Sequence, residues 1–515
     1  MNSGITNNGN RRSGTTRSST RRISTRRTMT PRKGTTFVSC LLVFVLTILI
    51  ALPIQVLAAA PPTGKARLSF GSTPYYAELT STADWSNVNN YSYDDTQGGS
   101  VWEITSLGSG KYKIESAGGA LTLNSSTDWQ PVKTAAYSGW TTQQWTITDL
   151  GSGKFKLECN GKALTGDNAG NGSTVKSAAY SSYTTQQWSI ASVDTSSWPA
   201  GTWDWVYQNV DKSSRLEVAD RENILIIGTT IHDVINDMGM YIARSSNVRI
   251  EDTIVEDVTD SGSYGMAVYL YRSDEIIMNE SIIREQVWMG TTEHAHALHI
   301  YAGSDITIEH SDIYNVDGNG ITIEAENDNI VIDDNDIYNT GSRPYSASAP
   351  YHGIYSKAPD VLIENNRIHD SLDGSAISMR STGVVQGNTL YNNKHASIAY
   401  WPDYAKGSSN ALTIEDNTIW QDNYTTSNSK ASGISINYTT GKPAENYFDN
   451  FYLTGNDLTI SDGNSYGVIT CFEATGTWSI ANVQVTDNTI TDLRSSTNYL
   501  DGETLMNVIS GNVYQ

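Results

Sequence analysis

The chain has 515 residues with 34 basic and 55 acidic side chains, so its formal net charge is −21. Nine of the basic residues lie within the first 36 positions, which contain no Asp or Glu. The remainder therefore has 25 basic against 55 acidic residues, a net charge of −30. Such a surface repels nucleic acid and anionic membranes, which argues against both as partners. A polyanionic sugar would be repelled too, unless the protein carries a local basic site.

Residues 1–60 are predicted to be a signal peptide. The basic start is followed by the apolar run Phe37–Leu52 and by Ala58-Ala59-Ala60, small residues that suit cleavage. The apolar run is shorter than the roughly 20 residues that a membrane span needs, and an uncleaved signal anchor is the alternative. We expect a secreted protein with no membrane contact beyond this leader, and a monomer.

Residues 66–190 contain an internal repeat with an offset of 43 residues. The run Gly108-Ser-Gly-Lys-Tyr-Lys recurs as Gly151-Ser-Gly-Lys-Phe-Lys, and Gln143-Gln-Trp145 recurs as Gln186-Gln-Trp188. Trp102 lies 43 positions before Trp145 and marks a third, degenerate copy. Three copies of short strands that each end on an inward Trp predict a closed all-β barrel with threefold symmetry.

The Gln-x-Trp repeats are similar to those of the ricin-type β-trefoil lectin family over residues 64–192. The resemblance implies a β-trefoil with carbohydrate-binding sites on its surface. The Asp that grips the sugar in that family is replaced here by Thr122 and Thr165. Two other pairs combine a carboxylate with a ring that can stack on a sugar face. The sugar-binding candidates of this domain are therefore Asp84, Trp85, Asp128 and Trp129.

Beyond a predicted linker at residues 193–201, one pattern recurs to the C-terminus. An apolar triplet is followed by a polar turn and then by Ile or Leu, as in Val361-Leu-Ile and Ile368, with closing positions 22–31 residues apart. Helical periodicity is almost absent. The pattern predicts a right-handed parallel β-helix over residues 202–515, so the fold class is all-β, a β-trefoil domain followed by a right-handed parallel β-helix. Because Asn tolerates left-handed backbone, turn ladders are predicted at Asn335, Asn366, Asn388, Asn417 and Asn488.

A further strand precedes each triplet, and stacking these strands predicts two outward columns of side chains, since alternate residues of a strand face opposite sides. The first column is Tyr241, Tyr269, His299, Thr322, Tyr355, Ser378, Ala399 and Ser435. The second column is Ala243, Tyr271, Tyr301, Glu324, Lys357, Arg380, Trp401 and Asn437.

The centre of the second column places Lys357 and Arg380 on adjacent strands, about 4.8 Å apart along the sheet. Two neighbouring cations flanked by aromatic rings suit a groove for an acidic sugar chain, because rings stack on sugar faces. The alternative is an ordinary surface Glu–Lys pair that contributes little. The substrate-binding candidates are Tyr269, Tyr271, His299, Tyr301, Glu324, Arg343 and Trp401.

The residues Ser356-Lys357, Asn365-Asn366 and Met379-Arg380 resemble three coils of the chondroitinase B and alginate lyase group of β-helix polysaccharide lyases. The resemblance implies that Lys357 is the base and that Arg380 is the acid or the charge stabiliser. It also implies a Ca²⁺ that neutralises the uronate carboxylate. The family's two glutamate ligands fall here on Pro350 and His352, so the calcium site is not matched. Weak metal candidates are Glu324, Glu326 and Asp328.

The residues themselves suit β-elimination, which removes the proton alpha to a uronate carboxylate and expels the sugar linked at O4. Arg380 can neutralise that carboxylate with a bidentate hydrogen-bonded pair. Its charge is expected to lower the pKa of Lys357 and so to favour the neutral amine of a base. Glu324 opposes this by holding Lys357 charged. The candidate donors to the leaving oxygen are Tyr355, His352 and His299.

Three functions therefore compete. The first is a secreted lyase that cleaves an alginate-like or glycosaminoglycan-like uronan by β-elimination. The second is a β-helix glycoside hydrolase or uronan epimerase that uses carboxylates such as Glu324, Asp317 and Asp373. The third is a non-catalytic carbohydrate binder or adhesin. The adjacent cations favour the first, and the net charge of −30 favours the others.

Overall fold

The computed structural model describes residues 60–71, 75–92, 101–167, 170–260, 265–289, 295–342, 350–422, 432–439, 441–448, 450–461, 466–473, 482–495 and 497–515. The predicted leader and Arg343 lie outside these residues. Within them, regular structure is almost entirely β, and no helix has the length and apolar content that a bilayer crossing requires. The short 3-10 helices are Thr141–Gln143, Thr184–Gln186, Ala444–Asn446 and Glu503–Leu505.

The N-terminal part forms one antiparallel sheet that closes on itself. Its first strand, Gly64–Phe70, pairs with Tyr75–Leu79, Trp102–Gly108 and Trp188–Ser192, so the last strand returns to the first. In chain order the strands are Gly64–Phe70, Tyr75–Leu79, Ser86–Ser92, Trp102–Gly108, Lys111–Ser116, Gly119–Leu123, Gln130–Ala136, Thr146–Gly151, Lys154–Cys159, Lys162–Thr165, Ser173–Thr174, Lys176–Ala178 and Trp188–Ser192.

The repeated tryptophans are the core of this N-terminal sheet. Trp102, Trp145 and Trp188 are completely buried. Each indole N–H donates to a backbone carbonyl of its own repeat, at 2.8, 2.7 and 2.9 Å respectively. Burying a large ring while its N–H is satisfied is the favourable arrangement for Trp. The predicted core role of Trp145 and Trp188 is confirmed.

From residue 205 onward, the chain coils through three parallel sheets, here called sheets 1, 2 and 3. The strands of sheet 1 are Trp205–Gln208, Glu222–Ile227, Ser246–Glu251, Asp274–Asn279, Ser304–Glu309, Asp328–Asp333, Val361–Glu364, Gly383–Gln386, Ala411–Glu415, Asn450–Thr454, Asn482–Thr486 and Val508–Ser510. The strands of sheet 2 are Asp211–Lys212, Thr230–Ile231, Ile254–Glu256, Thr259–Asp260, Ile282–Trp288, Asp312–Val316, Asp336–Thr340, Arg367–His369, Thr389–Tyr391, Thr418–Gln421, Asp457–Ile460, Thr489–Asp492 and Val513–Tyr514. The strands of sheet 3 are Leu216–Ala219, Met240–Ala243, Gly265–Tyr271, Ala295–Tyr301, Asn319–Ile323, Ile354–Ser356, Ile377–Met379, Ile398–Tyr400, Ile434–Tyr438, Ile469–Glu473 and Leu500–Asp501.

Each strand pairs only with the equivalent strand of the next coil, so the chain is a parallel β-helix. Inward residues stack into apolar columns: Ile354 lies over Ile377, and Ile377 lies over Ile398, all completely buried. This stacking buries branched side chains continuously along the axis, and that burial is the main stabilising contribution to such a fold. The predicted parallel β-helix is confirmed.

Asparagine side chains join the coils at the turn from sheet 1 to sheet 2. The Oδ1 of Asn388 accepts the backbone N–H of Asn366 at 2.9 Å, and the Nδ2 of Asn388 donates to Oδ1 of Asn417 at 2.9 Å. Equivalent hydrogen bonds join the asparagines of the preceding and following coils. The ladder comprises Asn335, Asn366, Asn388, Asn417, Asn456, Asn488 and Asn512, so the five predicted members are confirmed and Asn456 and Asn512 are added.

The predicted reason for this ladder is wrong. The ladder asparagines do not adopt left-handed backbone; the residue before each of them does, as at Asn365 with φ of 56° and Asp416 with φ of 53°. The ladder position needs an amide that both donates and accepts, whereas the preceding corner needs only a residue that tolerates positive φ.

Residues 193–201 pack against the structure on both sides. The N–H of Val193 donates to the carbonyl of Lys65 at 2.9 Å, and the Lys65 ammonium lies 5.0 Å from the ring centre of Trp198. Val193 and Trp198 also contact a small apolar cluster that contains Trp203. The N-terminal sheet and the first coil therefore share a packed connection rather than an extended tether.

Asn388→Ala should lower the free energy of unfolding by about 2–3 kcal/mol, because an unsatisfied buried group costs about 1–3 kcal/mol. The substitution leaves the buried N–H of Asn366 without its acceptor and removes one of two hydrogen bonds to Oδ1 of Asn417, which keeps the backbone N–H of residue 388. Thermal and urea unfolding measure the effect. The adjacent exposed Thr389→Ala is the control and should change stability by less than about 0.5 kcal/mol; equal effects would mean that the ladder adds no stability.

Candidate functional site

The outer face of sheet 3 carries the two predicted columns. Strand register pairs Tyr269 with His299 and Tyr355 with Ser378, as the first column requires. The second column begins with the register pair Tyr271 and Tyr301. Later members of this column lie just beyond the strand ends, where backbone hydrogen bonds join one coil to the next.

These bonds place the charged residues on successive rungs. The N–H of Lys357 donates to the carbonyl of Ile323 at 2.8 Å, and the N–H of Arg380 donates to that of Ser356 at 2.9 Å. The N–H of Trp401 donates to the carbonyl of Met379 at 3.1 Å. Lys357 and Arg380 are therefore neighbours on the sheet.

Lys357 belongs to a chain of contacts with Glu324 and His299. Its Nζ donates to both carboxylate oxygens of Glu324 at 2.8 Å. The Nε2 of His299 lies 3.2 Å from Oε1 of the same carboxylate. The side chains of Lys357 and Glu324 are only 16% and 19% exposed, so this is a largely buried ion pair rather than a solvated surface pair.

The pKa values of Glu324 and Lys357 correct one prediction. Burial raises the pKa of Glu324, but hydrogen bonds from His299 and Lys357 outweigh it and bring that pKa to about 2. Burial lowers the pKa of Lys357, but the hydrogen bond to Glu324 outweighs it, and the net pKa is raised. The prediction that Arg380 lowers the pKa of Lys357 is therefore wrong, because Glu324 is in direct contact with the amine. Lys357 is an ammonium ion at neutral pH.

Arg380 is held by a second carboxylate. Its Nη1 donates to Oδ2 of Asp403 at 2.5 Å, and Lys442 lies 2.6 Å from the other oxygen of Asp403. The guanidinium carbon lies 4.9 Å from the ring centre of Tyr355 and 5.9 Å from that of Trp401. The Nε of Arg380 is buried and has no hydrogen-bond acceptor among the described residues. Arg380 is therefore fixed by the Asp403 pair and by the two rings.

Tyr355 lies between the two cations. Its ring centre is 5.2 Å from Nζ of Lys357 and 4.9 Å from the guanidinium carbon of Arg380. A second phenol, Tyr404, has its ring centre 5.7 Å from Nζ of Lys357, and burial raises the pKa of Tyr404. The structure thus groups two cations and two phenols at one point of the groove.

His352 lies beneath this group. It is 4% exposed and stacks on Tyr355 with ring centres 5.5 Å apart. Burial and the charge of Arg380 hold the pKa of His352 well below its usual range. Its Nδ1 accepts the backbone N–H of Ser375 at 3.0 Å. A neutral, enclosed imidazole suits positioning of the Tyr355 ring better than transfer of a proton to a sugar.

Aromatic rings line the groove on the N-terminal side of Glu324. Tyr271 and Tyr301 stack with centres 5.6 Å apart, and Tyr269 stacks on His299 at 5.0 Å. In the first column, Thr322, Ser378, Ala399 and Ser435 are small and buried, whereas Tyr355 is partly exposed. Small residues therefore form a floor between the rings.

The proposed metal ligands do not converge. Glu326 and Asp328 are exposed, whereas Glu324 is occupied by Lys357 and His299. The part of the chain that the structure describes contains no group of three or more His, Cys, Asp or Glu side chains with metal-site geometry. These residues do not fit the calcium site that the lyase resemblance implies, and no step below depends on one.

The other carboxylates considered for a hydrolase hold the turns between sheets 2 and 3. The oxygens of Asp317 accept the N–H of Trp288 at 2.9 Å and the hydroxyl of Ser342 at 2.5 Å. Asp373 accepts the N–H of Tyr351 at 3.1 Å, and burial raises the pKa of Asp373.

Sequence reasoning missed Asp403, Tyr404 and Lys442. Asp403 and Tyr404 lie two and three positions after Trp401, the last aromatic member of the second column, so proximity to a column residue was an available signal. Lys442 comes from a different coil and no pattern in the sequence marks it.

In the N-terminal sheet, the two candidate carboxylates are occupied. Oδ1 of Asp84 accepts the N–H of Ala136 at 2.8 Å, and Oδ1 of Asp128 accepts that of Ala179 at 2.9 Å. The adjacent rings are exposed: Trp85 and Trp129 are 47% and 53% accessible.

Both tryptophans adopt left-handed backbone, each with φ of 65°. This conformation is a genuine outlier for a bulky side chain and is found where the surroundings impose it. Two rings missed from the sequence lie on the same surface in equivalent repeat positions: Trp140, which stacks on Trp85 at 6.2 Å, and Tyr183, which is 53% exposed.

Comparison with known proteins identifies the second part of the chain. The profile of the family described as right handed beta helix region matches residues 214–349 and 267–490, which together span more than half of the chain. No curated protein matches.

Similar solved structures each correspond to about a quarter of the chain. The designed 3-fold symmetric protein ThreeFoil is 33% identical over 25% of this chain and 99% of its own, with a TM-score of 0.24. A Polyporus squamosus lectin is 19% identical over 26% of this chain and 50% of its own, with a TM-score of 0.23. An exo-beta-1,3-galactanase from Clostridium thermocellum is 20% identical over 26% of this chain and 31% of its own, with a TM-score of 0.23.

Glu324→Gln should destabilise the protein above pH 4.5 but not near pH 2. A carboxyl whose folded pKa is lowered from 4.5 to about 2 stabilises the fold above the unfolded value, and this stabilisation is lost as pH falls toward the folded value. The shift corresponds to at most about 3 kcal/mol. Melting temperatures of wild type and variant between pH 8 and pH 2 measure it. A gap that stays constant down to pH 2 would contradict the assigned pKa.

Proposed function

The chain belongs to the right-handed beta helix family, which points to a carbohydrate-active or carbohydrate-binding protein, and from this premise we propose that it is a secreted lyase that cleaves a uronic-acid-containing polysaccharide. The observation that carries the proposal is the placement of Lys357 and Arg380 on adjacent rungs in a groove with aromatic walls. Glu324 and Asp403 balance two of the three cations Lys357, Arg380 and Lys442, which leaves one positive charge in excess. In a chain of this negative charge, that local excess suits an anionic ligand.

The first requirement of β-elimination is neutralisation of the uronate carboxylate, which makes the alpha proton acidic. Lys357 is charged, and Arg380 has a buried Nε donor without an acceptor among the described residues. Preorganised donors in a water-poor site stabilise developing charge strongly. We assign Lys357 and Arg380 together to the carboxylate. This assignment replaces Lys357 as the base, because an ammonium ion cannot accept a proton.

The second requirement is proton transfer, which we assign to Tyr355 because its ring lies near both cations. With Tyr355 ionised, its Oη takes the proton from the carbon alpha to the carboxylate. A double bond forms between that carbon and its neighbour, the bond from the neighbour to the linking oxygen breaks, and Tyr355 returns the proton to the departing oxygen. Tyr355 thus takes and returns the same proton, so the step needs no second acid or base. His352 stacks on the Tyr355 ring and is a positioning residue.

The competing functions are less well supported by the same geometry. A glycosidase needs one carboxyl that stays protonated as the acid and one that is ionised. Glu324 has a pKa of about 2, and Asp403 has its pKa held low by Lys442 and Arg380 against the opposing effect of burial. Asp373 has a raised pKa but holds a turn. An epimerase would share the first half of the lyase step, and only the product distinguishes them.

For the N-terminal sheet we propose a β-trefoil of the ricin type that binds carbohydrate. Its three repeats with buried tryptophans support the fold, and the exposed Trp85, Trp129, Trp140 and Tyr183 support the function. Because Asp84 and Asp128 hold backbone N–H groups, we assign the rings, rather than these carboxylates, to the sugar.

Incubation of the full chain with a panel of uronans and neutral glycans should produce the ultraviolet absorbance of an unsaturated uronate with at least one uronan. Reducing ends without this absorbance would identify a hydrolase instead. Altered uronate stereochemistry without chain cleavage would identify an epimerase, and binding without any product would leave a carbohydrate-binding protein.

Substitutions then separate the two roles assigned to the cations and the phenol. Tyr355→Phe should lower kcat by about 10²–10⁴-fold, the usual contribution of a positioned proton-transfer group. Lys357→Arg keeps the positive charge and should retain kcat within about tenfold, whereas Lys357→Met should be far less active. Steady-state kinetics on the cleaved uronan measure all three variants. If Lys357→Arg is as inactive as Lys357→Met, Lys357 is the base and Tyr355 is not.

Trp129→Ala should weaken binding of the full chain to insoluble polysaccharide several-fold, since loss of an exposed stacking ring removes about 1 kcal/mol. Turnover of short soluble oligosaccharides should not change. A pull-down on the insoluble glycan measures binding, and the similarly exposed Leu150→Ala is the control. Unchanged binding in a Trp85→Ala, Trp129→Ala double variant would refute the proposed role of this domain.

A further inference from the structure

A cleft lies where the N-terminal sheet meets the first coils of the β-helix. Its volume is about 800 Å³. One wall is the loop Thr80–Thr82 of the N-terminal sheet, and the other is the row of corners between sheets 3 and 1. The arginines on that second wall are Arg221, Arg244 and Arg272. Neither sequence pattern nor the proposed active site accounts for this cleft.

Several charged side chains of the cleft have a hydrogen-bond or ring partner within the protein. Arg244 forms a bidentate pair with Asp220 at 2.6 and 2.7 Å. The guanidinium of Arg221 lies 3.8 Å from the ring centre of Trp205. Asp274 accepts both the N–H and the hydroxyl of Ser304 at 2.8 Å.

Arg272 is the exception. It is exposed, and it forms no ion pair with any residue in the described part of the chain. It also adopts left-handed backbone with φ of 50°, a conformation that is uncommon outside Gly, Asn and Asp. Its guanidinium contacts the ring of Tyr271 and no carboxylate among the described residues. The remaining carboxylate of the cleft, Glu222, is exposed.

The cleft is continuous with the groove on sheet 3. The guanidinium carbon of Arg272 lies 5.1 Å from the ring centre of Tyr271, which stacks on Tyr301 at 5.6 Å. Tyr301 is followed along the second column by Glu324 and then by Lys357. Tyr271 is therefore three rungs before Lys357, about 14 Å along the axis at the usual strand spacing.

We propose that this cleft is a distal subsite in which Arg272 binds the carboxylate of a second uronate of the same polysaccharide chain. The inference rests on the proposed function, because it takes the acidic chain of the active site and extends it toward the N-terminal sheet. Tyr271 and Tyr301 line the path between the two sites, and the loop Thr80–Thr82 lines the opposite wall of the cleft. The enzyme therefore favours long acidic chains over short ones.

Arg272→Ala tests the proposal through the preference for chain length. The ratio of kcat/KM on the polymer to kcat/KM on a trisaccharide should fall about tenfold, the effect of losing one charge-assisted hydrogen bond. Arg367→Ala removes the same charge from an exposed side chain on sheet 2, where Arg367 is paired with Asp336, and is the control for the change in net charge. An unchanged ratio for Arg272→Ala, or an equal fall for both variants, would overturn the subsite.

A binding measurement keeps this test separate from the proposed reaction. Calorimetric titration of the full chain with a long uronan and with a neutral glycan of similar length needs no cleavage. Arg272→Ala should weaken uronan binding about tenfold relative to Arg367→Ala and leave neutral-glycan binding unchanged. If no uronan is cleaved but this difference appears, the proposed reaction fails and the anion subsite stands. If uronans are cleaved and the difference is absent, only the subsite fails.

Discussion

In-register stacking of the sheet 3 strands is the constraint on which the rest of the site depends. Each coil repeats the position of the one before it, so a residue at a given place in the coil becomes a member of a straight column. The asparagine ladder helps to fix this register, because each amide must meet both neighbours and a slip of one residue would break two hydrogen bonds per coil. The rings and charges of the groove are aligned because the buried isoleucines and the asparagines are aligned.

Inside the groove, the cationic side chains form ion pairs with carboxylates of the protein. The two cations of the site each contact a carboxylate: Lys357 contacts Glu324, and Arg380 contacts Asp403. These pairs hold the cations in place in the absence of substrate. In the proposed function, an incoming carboxylate must compete with Glu324 and Asp403, so a preorganised geometry is gained at the expense of affinity.

The β-helix and the relative positions of the groove residues could be predicted from the sequence, whereas the protonation of these residues could not. Alternation and coil spacing are local properties, and they sufficed to place Tyr355 opposite Ser378 and Lys357 beside Arg380. The pKa of Lys357 depends on which neighbour touches the amine, and column order alone cannot decide between Arg380 and Glu324. Lys442 reaches the site from a turn whose path no periodicity describes.

The packed connection between the N-terminal sheet and the first coil has a consequence for how the chain folds. Every strand of the β-helix pairs only with its neighbours, so ordering propagates along the axis and needs a surface on which to start. Trp198 and Trp203 pack beside the first strand of sheet 1, and Arg67 donates to the carbonyl of Val206 in that strand at 3.0 Å. A ribosome releases the N-terminal sheet before any coil. This sheet is thus placed to act as a template that sets the first coil and protects its otherwise unpaired end from association with other chains.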